Sequence, residues 1–184
     1  MNRLLKIILL IVIVLVIVYI LATIVPKVIY PKKYEQYVGK IAAEYDVDEL
    51  LIYSIIKVES NFKENANSHA KAIGLMQLME DTAIEMSNQI DNKTIDTNEI
   101  YEPETNIKLG ICYFSTLLKK YNNIGLALAA YNAGMGRVDE WIQNNVIKQD
   151  GSDLENIPFK ETNLYVRKVL NTYEKYKKLY WHHF

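Results

Sequence analysis

Cysteine is almost missing from this chain: Cys112 stands alone among 184 residues, which excludes an internal disulfide and a cysteine-based zinc site. Histidine is nearly as scarce. His69, His182 and His183 are too few and too scattered to suggest a metal cluster, and the terminal pair reads as a frayed tail. Glycine and proline are sparse as well, 7 and 4 in all, too little punctuation for an all-β fold. A surplus of positive charge is also absent. Five of the 21 basic residues fall at or before Lys33, so the rest of the chain sets 16 bases against 22 acids, a formal charge near −6. Nucleic-acid binders need a basic face, and that class is set aside.

What is abundant is an apolar run. From Ile7 to Val25 there are nineteen residues without a charge, nearly all Ile, Val and Leu. As a helix this run would be about 28 Å long, close to the hydrocarbon thickness of a bilayer. A cleaved signal peptide would have a shorter apolar region ending in a small-x-small site, whereas this one ends Tyr19-Ile20-Leu21-Ala22-Thr23-Ile24. A buried core helix would not need an unbroken apolar run on every face. The expectation is an uncleaved transmembrane anchor in contact with the cytoplasmic membrane through residues 7–25. Basic residues flank both ends (Arg3 and Lys6, then Lys27, Lys32 and Lys33), so the positive-inside count gives no orientation. Pro26 and Pro31 bracket a short link, which divides the chain into an anchor with linker, 1–32, and one mainly helical domain, 33–184.

Period and caps predict the helices of that domain. Asp46 is expected as an N-cap with Glu49 three residues on, followed by an apolar stripe of Leu51, Ile52, Ile55 and Ile56 up to Ser60. A second helix is expected from Leu75 to Met86, then a loop from Asn88 to Glu102. Pro103 opens a helix over 106–120, and 125–131 reads as a short buried helix. Asn132-Ala133-Gly134 stops it, 137–143 restarts, and a last helix covers 161–180.

Glu59 is the residue out of place. It follows Ile56 by three positions, Ile55 by four and Ile52 by seven, which puts it on the apolar face of its own helix. A charged carboxylate is costly to bury there, and the negative end of the helix dipole opposes it further. Both effects raise its pKa, as a general acid at neutral pH requires. A glutamate at the edge of the stripe can also reach out to water, and helix geometry alone leaves both readings open.

The residues downstream narrow the choice. Glu59-Ser60 with Phe62 is followed by Ala66 and Ser68, and then by Gly74-Leu75-Met76-Gln77. Further on come Asn106-Ile107 with Gly110 and Tyr113, Ala130-Tyr131-Asn132-Ala133-Gly134, and Glu161-Thr162 with Tyr165-Val166 and Val169. This ordered series, from about Tyr34 to Tyr180, resembles the soluble-lytic-transglycosylase family of the lysozyme superfamily. Lys71, where the family usually has glycine, and Glu80, where it often has proline, depart from the pattern.

The resemblance implies a mainly α, lysozyme-like (goose-type) domain behind one N-terminal transmembrane helix, facing the extracytoplasmic side. It implies cleavage of the β-1,4 bond of peptidoglycan glycan strands between N-acetylmuramic acid and N-acetylglucosamine. Glu59 would act as acid and then as base, leaving a 1,6-anhydro end, with no metal and no cofactor. By position in the motifs, Ser68, Gln77 and Asn132 are expected to hydrogen-bond the sugars. Tyr131 and Tyr165 would line the site, Met79 would line the cleft, and Glu161 would orient Tyr165 or the substrate. Cell-wall or secretion machinery is a partner class left open. A hydrolytic muramidase on the same scaffold and an inactive peptidoglycan-binding assembly module are the alternatives.

Overall fold

The computed structural model describes residues 2–92 and 94–180; the His182–His183 pair lies outside the described residues. Eight α-helices are present in that range: α1 (Arg3–Ile29), α2 (Glu35–Glu44), α3 (Glu49–Glu59), α4 (Glu80–Asp91), α5 (Pro103–Tyr121), α6 (Ile124–Ala133), α7 (Met135–Gln143) and α8 (Lys160–Tyr180). Short 3₁₀ turns occupy Thr97–Tyr101 and Leu154–Asn156.

Helix α1 carries the apolar run, and none of its residues is buried, unlike a core helix. Among the described residues it is the one helix long and apolar enough to cross a membrane, a description that a signal sequence also meets. Pro26 lies inside α1, not in a linker. Proline lacks only its own N–H donor, and its carbonyl still accepts the amide of Tyr30 at 2.8 Å, so the helix runs one turn further than expected.

The centre of the domain is α8, which packs against both α3 and α6. Seven consecutive residues of α3, Leu50 to Ile56, are buried. Helix α6 is buried from Gly125 to Ala130, in keeping with its all-apolar sequence. Helix α8 turns Thr162, Tyr165, Val166 and Val169 inward, an i, i+3, i+4, i+7 face. Helix α5 closes the other side with Ile107, Ile111, Phe114 and Leu117.

Two helix starts differ from expectation. The N-cap of α3 is Asp48, whose carboxylate accepts the Leu50 amide at 2.7 Å, and not Asp46. Asp46 instead ends α2: it takes a left-handed φ of 56°, and the next amide, that of Val47, bonds back to the Ala42 carbonyl at 2.9 Å. The segment read as a helix from Leu75 is a tight loop, and α4 starts only at Glu80. Gln77 has a φ of 49°, which a right-handed helix does not accommodate. Leu75, Met76 and Leu78 are buried as a plug beneath the loop. Helix α4 in turn extends to Asp91, into the stretch expected to be loop.

Candidate active site

Glu59 is the last residue of α3 and is partly exposed, at the point where the helix leaves the core. Burial pushes its carboxyl up from 4.5 to about 7, and the Tyr165 hydroxyl pulls in the opposite direction. Among the described residues no second acid is close enough to contribute to that shift. Tyr165 is 7 % exposed. Its hydroxyl stands near enough to act on Glu59 but completes no hydrogen bond of ordinary geometry with a described residue. Tyr131, on α6, is the third member. The hydroxyls of both tyrosines are held well above 10, first by burial and then by the charge on Glu59. A carboxyl that keeps its proton near neutrality, flanked by two phenols that stay neutral, can give a proton and take it back.

Tyr131 connects this group to a cleft of about 240 Å³ lined by Gln77, Leu78, Met79, Thr82, Tyr113, Tyr131, Asn132, Ala133 and Gly134. Its hydroxyl donates to the Met76 carbonyl at 2.8 Å, and its ring lies against Tyr113 and Phe114, with centroids 5.4 and 6.0 Å away. A larger hollow of about 520 Å³ lies between α2 and α3. It contains none of the motif residues, so size does not choose the site.

The model of the transglycosylase SLT domain family matches residues 36–153. This chain belongs to that family. It is 34 % identical over 152 residues to the soluble lytic murein transglycosylase of Salmonella typhimurium, covering 80 % of this chain and 23 % of that protein. It is 31 % identical over 169 residues to the membrane-bound lytic murein transglycosylase C of Edwardsiella ictaluri, covering 80 % and 47 %. Among solved structures it is similar to an inactive mutant of lytic transglycosylase Slt from Pseudomonas aeruginosa, with a TM-score of 0.73, 35 % identity, and coverage of 81 % of this chain and 24 % of that one. The 70-kDa soluble lytic transglycosylase from Escherichia coli gives a TM-score of 0.72 at 27 % identity, over 81 % and 25 %. The chain thus spans about a quarter of the length of the soluble relatives.

In this SLT domain the loop between α3 and α4 is held by its own motif. The Gln77 side-chain nitrogen donates to the carbonyls of Ala66 and Gly74, both at 3.0 Å. Its donor capacity is therefore spent on the loop, and its amide oxygen is what remains for a ligand. Gly74 has a φ of +78°, and a Cβ there would meet the Asn106 side-chain nitrogen at 2.3 Å. Asn132 sits at the cleft, exposed, with its side-chain oxygen accepting the Thr162 hydroxyl at 2.8 Å. Met79 lines the cleft as the residue before α4, 47 % exposed.

Ser68 is exposed on the loop, its hydroxyl accepting the Ala72 amide at 3.0 Å. Glu161 is exposed in the first turn of α8. Like Glu59 and Tyr165, these two residues lie outside the lining of the 240 Å³ cleft.

Three residues quoted in the motifs but given no role prove to organise the site. Asn106 is fully buried. It accepts the Met76 amide at 2.7 Å and donates to the carbonyls of Ile73 and Ile100 at 3.0 and 2.9 Å. Gly110, one turn on, leaves room for Met76, whose sulfur would lie 2.4 Å from an added Cβ. Thr162 fixes Asn132. The signal for two of them was available: Asn106 shares a helix face with Gly110 and Phe114, and Thr162 shares one with Tyr165 and Val166. A polar residue on a buried face asks for its partner.

Proposed function

We propose that this chain is a membrane-anchored, extracytoplasmic lytic transglycosylase that cuts peptidoglycan glycan strands between N-acetylmuramic acid and N-acetylglucosamine. The observation that carries the reading is a half-buried carboxyl at the end of α3, beside Tyr165, raised to about 7 with no second acid among the described residues acting on it. Glycosidases that use water generally employ two carboxylates across the scissile bond. One carboxyl suffices if it serves twice. Protonated Glu59 donates its proton to the glycosidic oxygen as the bond from that oxygen to C1 of N-acetylmuramic acid breaks. The resulting carboxylate then takes the proton of the same sugar's 6-hydroxyl, whose oxygen closes on C1 to form the 1,6-anhydro ring. Glu59 ends as it began and no water is consumed.

The developing positive charge is met by the sugar's own acetamido group. The tyrosine hydroxyls, neutral at working pH, stay beside the carboxylate in its charged interval. Asn132 and the amide oxygen of Gln77 face the sugars from the cleft. Ser68 and Glu161 are proposed to contact substrate further along the strand. Helix α1 holds the enzyme in the cytoplasmic membrane through Ile7–Val25.

The test is mass spectrometry of glycan fragments released by the full chain in detergent. The expected product is lighter by one water than a reducing-end fragment and is absent with Glu59→Gln. A reducing-end product that depends on Glu59 makes the protein a muramidase. Binding to glycan with no product from the wild type makes it a binding module.

A further inference from the structure

The chain between α1 and α2 lacks the character of a flexible tether. No glycine or serine occurs from Pro26 to Val38, and two of its backbone carbonyls accept from side chains of α8. The Tyr180 hydroxyl donates to the Tyr30 carbonyl at 2.8 Å, and the Tyr176 hydroxyl to the Pro31 carbonyl at 2.9 Å. Tyr176 is fully buried. It is stacked with Tyr53 at 5.8 Å and Tyr180 at 5.9 Å, and meets Tyr30 edge-on at 5.7 Å. Lys32 adds ion pairs to Glu49 at 2.8 Å and Glu35 at 3.1 Å, with its ammonium 5.5 Å from the Tyr53 ring and 5.7 Å from that of Tyr180. The ammoniums of Lys57 and Lys175 lie 5.8 and 5.5 Å from the Tyr30 ring. Tyr30 is also the C-cap of α1, so the last turn of the apolar helix and the domain share one cluster of rings, cations and hydrogen bonds. Flexible linkers keep their backbone solvated and their side chains small; this segment does neither.

We propose that Tyr30–Lys33 is a rigid joint that carries the cleft at a set height over the bilayer, so that the substrate is glycan lying within about one α8 length of the membrane. Helix α8 is the ruler. It touches the joint through Tyr176 and Tyr180 and reaches the neighbourhood of Glu59 at Tyr165, eleven residues before Tyr176, which is about 16 Å at the helical rise. Its full span of 21 residues is about 31 Å, a bound on how far the cleft stands from the joint. Around the joint Tyr30 and Tyr180 are half-buried and Lys33 and Lys175 are exposed, side chains that suit a headgroup layer. The inference rests on the membrane insertion of α1 and on the proposed transglycosylase activity.

The experiment uses the full chain in phospholipid nanodiscs with Leu21→Cys and Lys160→Cys carrying spin labels; Cys112 is buried and out of the reagent's reach. One narrow interlabel distance is expected. A Gly-Ser hexapeptide inserted between Ile29 and Tyr30 leaves the joint on the domain and should broaden the distribution, with the rate on soluble glycan strands unchanged. A broad wild-type distribution overturns the joint. So does an inserted variant that stays narrow, since the domain would then be held by the lipid alone. A chain that washes from the bilayer in carbonate overturns the anchor and the joint's role with it.

In cells given a brief pulse of labelled wall precursor, the wild type should release label early, while marked strands are still at the membrane, and the release should fall several-fold after a chase. Equal release at both times overturns the limited reach. A wild type inactive on soluble strands overturns the enzymatic reading and the reach, while the distance measurement still decides the joint.

Discussion

Replacing Glu59 by Gln should change stability in a way that depends on pH. The carboxyl goes from 4.5 to about 7 on folding because burial disfavours its charge. Between those values the folded chain binds a proton that the unfolded chain has lost, so stability falls as pH rises. The contribution is fully present below about pH 4.5 and is gone once the pH has passed through 7. Two and a half units at about 1.4 kcal/mol each correspond to about 3 kcal/mol. That figure is an upper one, because the carboxyl edge is still wetted.

Glutamine has the same shape and does not titrate. Its buried amide adds a constant offset, so the quantity to follow is the variant-minus-wild-type difference in unfolding free energy by urea at pH 4, 6 and 8. The difference should grow in favour of Glu59→Gln by up to about 3 kcal/mol across that range, while activity falls by a factor on the order of 10² or more. A difference that is flat with pH would mean the carboxyl is solvated and ordinary. One that shrinks as pH rises would mean it is stabilised as an anion, and in either case the assignment of a proton-holding acid fails.

Tyr165→Phe removes the hydroxyl that lowers the Glu59 pKa, so the alkaline limb of the pH–rate profile should move upward; a downward move or no move refutes the pairing. Gly74→Ala places a Cβ 2.3 Å from the Asn106 side chain at a φ of +78°. The strain and displaced hydrogen bonds should cost about 2–4 kcal/mol in thermal or urea unfolding. Thr162→Val deletes the donor to Asn132 at about 1 kcal/mol in stability. Turnover should drop by more than that loss of stability explains, and Thr162→Ser should restore it; a Ser variant as slow as Val would assign Thr162 to packing alone.

The helical order of the domain was legible in the sequence because most of its helices have one-sided apolar patterns, and Glu59 stood out as the polar interruption of such a pattern. The parts that were illegible are those in which side chains answer to distant partners. Asp46 and Asp48 are equally good caps by type, and only the turn closing α2 at Val47 decides between them. Leu75-Met76-Gln77-Leu78 has a helical look, yet Asn106, 30 residues away from Met76, supplies the hydrogen bonds that make it a loop. Gln77 reads as a free amide until its partners within the loop are seen. The attachment of Tyr30 and Pro31 to α8 spans about 150 residues of chain, and no local pattern announces it.

The position of Glu59 as the terminal residue of a helix that is otherwise core has a consequence for how such a protein can drift. Ile52, Ile55 and Ile56, on the same face of the helix, are fully buried, and partial burial at the end of that face raises the carboxyl. A truncation such as Ile55→Val, mild by the measure of folding, should bring the carboxyl back toward its ordinary range wherever it loosens that packing enough to admit solvent. With Glu59 in its proposed role, interior substitutions would retune the working pH without touching a residue of the cleft. Selection on the interior and selection on acidity would then act on one set of side chains, with the titration midpoint of Glu59 a gauge of how tightly that interior is closed.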